Sequence, residues 1–393
     1  MRIAIDGTTL CGADGSHGAG IEHYSWSIVN ALVREGKEEN FLIVAPKYFP
    51  NTLRAQLESV GDHVNIAKQF FPRAKFFSRH VLLPARVAFF KPDVFFSPSG
   101  QIPFGWFDKS VITIHDLAIY DHPEWFPEGQ DFSTKYLVPR SVTRASKIIA
   151  VSETTRNDAT RLFPCSGGKV AVVLEGVDVG AAYNCVGELN ENEKRFPYDK
   201  DFVLCLGTVE PRKNLVRAVQ AFDSFLRDHH EQAPNTRLII AGKKGWGCEG
   251  IEKEIERVNS DWYQAERSGV IQTLGQVSEQ EKWCLLARAS CLLFPSLHEG
   301  FGLPVLEAMA VGTPVIASEK GALSEVGGDA AMYVDPDDIE SMSFALSQFV
   351  LFPECTRSLK EAGIERVAKF TWESAAKRTL EILKSVCENK NPH

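Results

Sequence analysis

Two glutamates, Glu299 and Glu307, punctuate the stretch from Leu292 to Ser318. With Arg212-Lys213 and His115-Asp116 they are the residues whose types and spacing can do chemistry. Glu299 stands just before Gly300-Phe301-Gly302-Leu303. Pro304 suits the first position of a helix, where its missing N–H would be unpaired anyway, and Gly312 suits the stop beyond the last turn. A loop opening a helix offers backbone N–H groups to an anion, and two carboxylates accept hydrogen bonds from hydroxyls. An anion that carries a polyol, such as a nucleotide sugar, satisfies both demands. Arg212 and Lys213 precede a helix, and a guanidinium beside an ammonium forms a clamp for a diphosphate; the competing reading is a solvated basic turn. His115 follows a strand, where it contacts a ligand, shuttles a proton or simply packs. His122 reads as structural and His298 as a wall of the pocket. His17 and His23 flank the first glycine loop.

These residues need strand ends to carry them. Arg2 to Asp6 reads as a strand, Gly7 to Gly20 as a glycine-rich loop, and Ile21 to Glu35 as a helix with Ile21, Tyr24, Ile28, Ala31 and Leu32 on one face. Gly18-Ala-Gly20 lacks the third glycine of a dinucleotide fingerprint. Phe41–Ala45, Val64–Ala67, Val94–Ser97, Val111–Ile114, Lys147–Val151 and Val170–Leu174 read as further strands. The pattern restarts with strands at Phe202–Leu206, Arg237–Ala241, Val270–Leu274 and Cys291–Phe294, separated by helices near 214–228, 250–260 and 278–289. Such alternation predicts an α/β protein of two Rossmann-like domains, each a parallel sheet covered on both faces, with a ligand in the cleft between them. Domains are expected at 1–180 and 200–370, joined by a linker and surface loop at 181–199. An amphipathic helix within 371–393 is expected to pack back on the first domain. Asp335-Pro-Asp-Asp338 resembles a metal-binding Asp-x-Asp, but it sits between a strand and a helix at 339–351 and reads as a helix cap, so no metal is expected.

The bulk properties exclude other classes. At 393 residues two domains are the natural division, and a formal net charge of -8 argues against a general nucleic-acid binder. Nine cysteines are scattered without a Cys-x-x-Cys pair, as in a cytosolic protein with reduced, mostly buried thiols. The N-terminal apolar stretch is too short for a signal peptide, and no run has the length of a membrane span. The expected place is the cytoplasm, either free or on the cytoplasmic face of the membrane.

The motifs Gly18-Ala-Gly-Ile21, Ile112-Thr-Ile-His-Asp-Leu117, Val151-Ser-Glu-Thr-Thr155, Glu210-Pro-Arg-Lys-Asn-Leu215, Ala241-Gly-Lys-Lys-Gly-Trp246 and Pro295 to Glu307 span nearly the whole chain. Together they resemble the retaining glycosyltransferases of family 4, which have the GT-B fold, and in style the bacterial mannosyltransferases of polysaccharide assembly. The resemblance implies that Glu299 contacts donor-sugar hydroxyls, Glu307 the nucleotide ribose, and Arg212 and Lys213 the diphosphate. Backbone N–H groups of Phe301, Gly302 and Leu303, with the Gly18 to Gly20 loop, complete the phosphate site, and Gly300 belongs to the donor-binding residues. His115 lies beside the transferred sugar, and Gln276-Val277 holds the base. Thr208 stands where many relatives have Arg, and Glu22-His23 where Gly-Arg is frequent.

The expected reaction is transfer of a hexose, mannose from GDP-mannose favoured, to a saccharide or a lipid-pyrophosphate-linked acceptor, with retention and without metal or cofactor. Lys68 to Lys91 carries six basic residues, no acidic one and interleaved phenylalanines. It suits either an anionic membrane surface or a core helix with one solvated basic face. Three rivals stand beside this reading: a retaining glycosidase using Glu299 and Glu307, which leaves Arg212-Lys213 without a purpose; a nucleotide-sugar epimerase of the same fold; and a non-catalytic nucleotide-sugar-binding subunit.

Overall fold

The computed structural model describes residues 1–11, 20–68, 77–106, 108–180, 182, 201–264 and 269–388. The chain divides into two compact units. Unit 1 comprises Met1–Tyr120, Glu128–Gly176 and Thr371–His393, and unit 2 comprises Asp121–Pro127 and Val177–Phe370. The segment expected as a linker, 181–199, lies outside the described residues apart from Ala182.

Unit 1 holds strands β1 (Arg2–Asp6), β2 (Asn40–Ala45), β3 (Val64–Lys68), β4 (Val94–Ser97), β5 (Ser110–Ile114), β6 (Lys147–Ala150) and β7 (Val170–Val172). They form one sheet in the order β3-β2-β1-β4-β5-β6-β7, with every neighbouring pair parallel. The apolar runs of these strands are what a sheet covered on both faces requires, and Ile3, Ile5, Phe41, Phe95 and Ile112 are fully buried. Helix Ile21–Glu35 keeps its expected bounds but buries Tyr24, Ser25, Ile28, Val29 and Leu32, while Ile21 is 43% exposed. The inward face is therefore turned toward Ser25 and Val29, because Ser25 satisfies its hydroxyl locally on the Ile21 carbonyl at 2.7 Å and so tolerates burial. The last helix, Trp372–Glu388, packs along Ile21–Glu35 within the same unit. It buries Ala376, Leu383 and Val386 and pairs Lys384 with Glu39 at 3.0 Å.

Unit 2 holds β8 (Phe202–Leu206), β9 (Arg237–Ala241), β10 (Ile271–Gly275), β11 (Cys291–Phe294), β12 (Val315–Ser318) and β13 (Ala331–Val334). Their order is β10-β9-β8-β11-β12-β13, again parallel throughout. In each sheet the strand order reverses beside the first strand, at β1/β4 and at β8/β11. Loops leaving the carboxyl ends there diverge and open a crevice. The residues singled out from the sequence follow these strands.

Asp338 caps a helix, and Asp335 closes the turn that leads into it. Asp338 Oδ1 accepts from the Glu340 and Ser341 amides at 3.0 and 3.1 Å, and Asp335 Oδ1 from the Asp337 amide at 3.0 Å. Helix Ile339–Leu351 starts directly after them. Among the described residues no helix is long and apolar enough to cross a membrane.

Candidate active site

In unit 2 the loop after β8 carries the cations. Pro211–Lys213 make a single 3-10 turn, and Asn214, with φ 57°, redirects the chain into helix Leu215–His229. The buried Asn214 amide donates to the carbonyls of Pro295 at 3.2 Å and Pro336 at 2.7 Å, and Leu297 N donates to Arg212 O at 2.9 Å. The cationic loop is thus pinned to the loop after β11 that bears Glu299. Gly207, Thr208, Lys213, Phe294 and Ser296 line a small pocket between these strand ends.

Arg212 and Lys213 both reach the same carboxylate. Arg212 Nη1 donates to Glu299 Oε2 at 2.7 Å and to the His298 carbonyl at 2.8 Å, while Nη2 donates to Glu210 Oε1 at 2.7 Å. Lys213 Nζ donates to Glu299 Oε1 at 2.5 Å and lies 4.8 Å over the Phe294 ring. Burial pushes the Glu299 carboxyl up, but Arg212 and Lys213 beside it outweigh that and hold it at about 2. Two cations and two carboxylates balance in this cluster, so Arg212 and Lys213 form a buried, charge-compensated group and not a solvated basic turn. Each Glu299 oxygen accepts from one of these cations, Ser296 adds to the stabilisation of the carboxylate, and two oxygens with about four lone-pair directions leave capacity for a ligand hydroxyl.

Backbone geometry fixes Glu299 from the other side. Gly321, with φ 64°, passes so close that a Cβ there would sit 2.6 Å from the Glu299 backbone N and O, and Ala322 N donates to Glu299 O at 2.9 Å. Gly302, with φ 108°, is the N-cap of helix Leu303–Ala310, and a Cβ on it would meet Leu323 at 2.6 Å. The helix therefore begins one residue earlier than expected, and Pro304 takes its second position. Gly300 and Phe301 lie in the buried turn between Glu299 and this cap.

Glu307 lies on that helix, 5% exposed, and Lys282 Nζ donates to its Oε1 at 2.6 Å. Burial pulls the Lys282 ammonium down, yet Glu307 and Glu279 outweigh it and raise it above its ordinary value. Gln276 is exposed and Val277 half-buried in the turn before helix Glu279–Arg288, which carries Lys282.

In unit 1, His115 follows β5. Its Nε2 lies 2.7 Å from the Pro98 carbonyl and so carries the hydrogen, because a carbonyl only accepts. Nδ1 is 3.6 Å from Glu175 Oε1, and the Tyr24 ring meets the imidazole edge-on at 4.5 Å. His115 is thus built into a polar cluster with a buried glutamate. Beside it, at the β1/β4 reversal, Arg79 donates to Asp6 at 3.0 Å and Ser99 at 2.7 Å. Gly20, with φ 62°, is the N-cap of helix Ile21–Glu35; Gly18 and His17 lie outside the described residues. In the Asp121–Pro127 segment of unit 2, His122 stacks on Trp125 at 3.9 Å.

Sequence reasoning missed Lys282, Glu175, Glu210 and the Asp6–Arg79 pair. Glu210 carried a signal, since it stands two positions before Arg212 in a charged turn. The Lys282–Glu307 and Glu175–His115 contacts carried none, because these partners are distant in the chain. Of the basic, aromatic stretch Lys68 to Lys91, residues 69–76 lie outside the described residues. Phe90 packs on the core of unit 1, whereas Phe77 and Phe89 are 51% and 89% exposed. Arg79 turns to Asp6 rather than to a solvated face.

A family model described as Glycosyltransferase Family 4 matches residues 18–180, and one described as Glycosyl transferases group 1 matches 187–366. The chain is 28% identical over 301 residues to the O-antigen chain mannosyltransferase B of Escherichia coli, covering 75% of each chain. Its fold matches sucrose-phosphate synthase from Thermosynechococcus elongatus with a TM-score of 0.72 at 21% identity, covering 98% of each chain. It also matches the Anabaena protein HepE, solved in complex with UDP and glucose, with a TM-score of 0.69 at 16% identity, covering 98% of this chain and 100% of that one. The two family models between them account for most of both halves, and the two parallel sheets are those of the GT-B fold. The chain belongs to the family 4 and group 1 glycosyltransferases and is an enzyme of that class.

Proposed function

We propose that the chain is a retaining, metal-independent hexosyltransferase that moves mannose, from GDP-mannose, to a saccharide or lipid-linked saccharide acceptor in cell-surface polysaccharide synthesis. The observation that carries this is the Arg212–Lys213 grip on Glu299, ahead of the Gly302 helix start. The mannose assignment draws on the likeness to a mannosyltransferase of O-antigen assembly.

In this reading the remaining lone pairs of Glu299 hold donor-sugar hydroxyls, Glu307 holds the ribose, and Gln276 with Val277 lies against the base. Arg212, Lys213 and the N–H groups of Phe301 to Leu303 receive the diphosphate. As the anomeric C–O bond breaks, its electron pair goes to the departing phosphate oxygen, and fixed donors stabilise that charge. The acceptor hydroxyl attacks on the face that the diphosphate leaves, and its proton passes to the departing phosphate oxygen. In unit 1, His115, tethered at Nε2 to Pro98 and with Glu175 3.6 Å from its other ring nitrogen, is the residue this reading assigns to the transferred sugar. The exposed rings of Phe77 and Phe89, near Arg86 and Lys91 in the sequence, support an acceptor met at an anionic membrane surface.

The test is a thermal-shift and transfer screen of GDP-mannose against UDP- and ADP-sugars, followed by NMR assignment of the new anomeric centre. A shift with GDP and GDP-mannose and a product of unchanged anomeric configuration are expected. Donor hydrolysis or epimerisation without transfer to any saccharide acceptor, or an inverted product, overturns the proposal.

A further inference from the structure

Helix Glu279–Arg288 carries a lysine that the glutamate motif does not include. The side chain of Lys282 is 12% exposed, and that of Glu307 is 7% exposed. Lys282 Nζ donates to Glu307 Oε1 at 2.6 Å, pairs with Glu279 Oε2 at 2.8 Å, and lies 4.8 Å from the centre of the Trp283 ring. Stripping water from an ammonium is costly, so such a lysine persists only where its partners compensate it. Glu279 is half exposed and water can serve it, but Glu307 is buried and needs this cation.

A carboxylate offers about four lone-pair directions on two oxygens. Lys282 takes one of them on Oε1, which fixes the plane of the group and the aim of the others. The lysine itself is well anchored. Ser278 and Glu281 close a capping box, with Glu281 N donating to Ser278 Oγ at 3.2 Å and Ser278 N to Glu281 Oε2 at 2.6 Å. That box fixes the first turn of the helix, directly after Gln276-Val277 and just before Lys282.

We infer that Lys282 is a positioning residue that aims the Glu307 carboxylate at the ribose 2′- and 3′-hydroxyls of the donor, and so sets the preference for ribonucleoside over deoxyribonucleoside diphosphates. The inference rests on the reading of Glu307 as the ribose holder. A lysine that only stabilised the helix pair would leave the ratio of the two affinities unchanged when removed. A lysine that aims the carboxylate changes the ratio.

The experiment is titration calorimetry of GDP against 2′,3′-dideoxy-GDP, and of UDP against its dideoxy form, on the full chain, Lys282→Met and Lys282→Gln. For the base that binds more tightly, the wild type is expected to favour the ribo form by about tenfold or more, as hydrogen bonds to a charged group do. Lys282→Met is expected to bring that ratio to about threefold or less, with Lys282→Gln between. A wild type without preference, or binding neither diphosphate, overturns the ribose reading of Glu307 itself. A wild-type preference kept in full by Lys282→Met overturns the inference alone. If Lys282→Met does not fold, a full preference in Lys282→Gln overturns it equally.

Discussion

Glu299 is the residue at which binding and stability meet. Two cations grip its two oxygens, and its folded value of about 2 lies below the ordinary 4.5. A carboxyl depressed in this way contributes stability above its unfolded value, and that contribution is lost as pH falls toward 2. Glu299→Gln is therefore expected to melt well below the wild type at pH 7, because two buried cations are left with Glu210 as their one carboxylate in the cluster and Lys213 loses its ion pair. The gap in melting temperature should narrow as pH drops from about 5 to about 2. A gap constant over that range would show that the cluster does not stabilise through this carboxylate. The same cations are predicted to act on the reaction. Arg212→Ala and Lys213→Ala should each lower kcat by at least about tenfold, the scale of losing one fixed donor to developing charge. Steady-state kinetics with near-normal kcat in both variants would remove them from the phosphate site.

At the scale of elements, short loops at strand ends do the positioning, and their demands are backbone demands. Gly321 approaches the Glu299 backbone too closely for any side chain. Gly321→Ala should cost about 2 kcal/mol or more, since it combines a left-handed backbone with a steric clash, and should raise the donor KM by displacing Glu299. Asp338→Ala is the contrast. It removes a side chain that accepts from two amides of the following helix. The expected loss is about 1 kcal/mol in a denaturant titration, with kinetics unchanged. Because Asp338 is engaged in capping and Asp335 in the turn before it, chelation of divalent ions should leave turnover intact; a tenfold fall in chelator, restored by added Mg²⁺ or Mn²⁺, would assign them to a metal after all. These elements were readable in advance where chemistry is local. Gly302 before a helix, Pro304 inside its start and Asp338 at a cap each follow from neighbours in the chain. Lys282 with Glu307, Glu175 with His115 and Arg79 with Asp6 were not readable, because nothing local in a charged side chain says which distant carboxylate it will meet once both are buried. The turned face of helix Ile21–Glu35 was missed for a related reason: a serine hydroxyl that bonds back to its own helix behaves as an inside residue.

On the scale of the molecule, each unit is one parallel sheet whose polar residues gather where the strand order reverses, and the last helix completes unit 1 rather than the unit that precedes it in sequence. Trp372–Glu388 lies on Ile21–Glu35, Trp372 meets the Tyr24 ring at 5.8 Å, and a Cβ on Gly176 would lie 2.2 Å from Trp372 N. Leu380, Ile382, Leu383 and Val386 are all at most 8% exposed. Burying such side chains contributes about 1.5–3 kcal/mol each, so the four together approach the whole stability of a typical domain, about 5–15 kcal/mol. A chain ending at Phe370 is therefore expected to keep unit 2 folded while unit 1 loses its cooperative transition. Hydrogen exchange would report this as loss of protection in β1, β2 and β4 with protection retained in β8, β9 and β11. Adding the peptide 371–393 in trans should restore protection in proportion to its concentration. Full protection of β1 and β4 without the helix would mean that the sheet of unit 1 holds itself, and that the helix does no more than cover it.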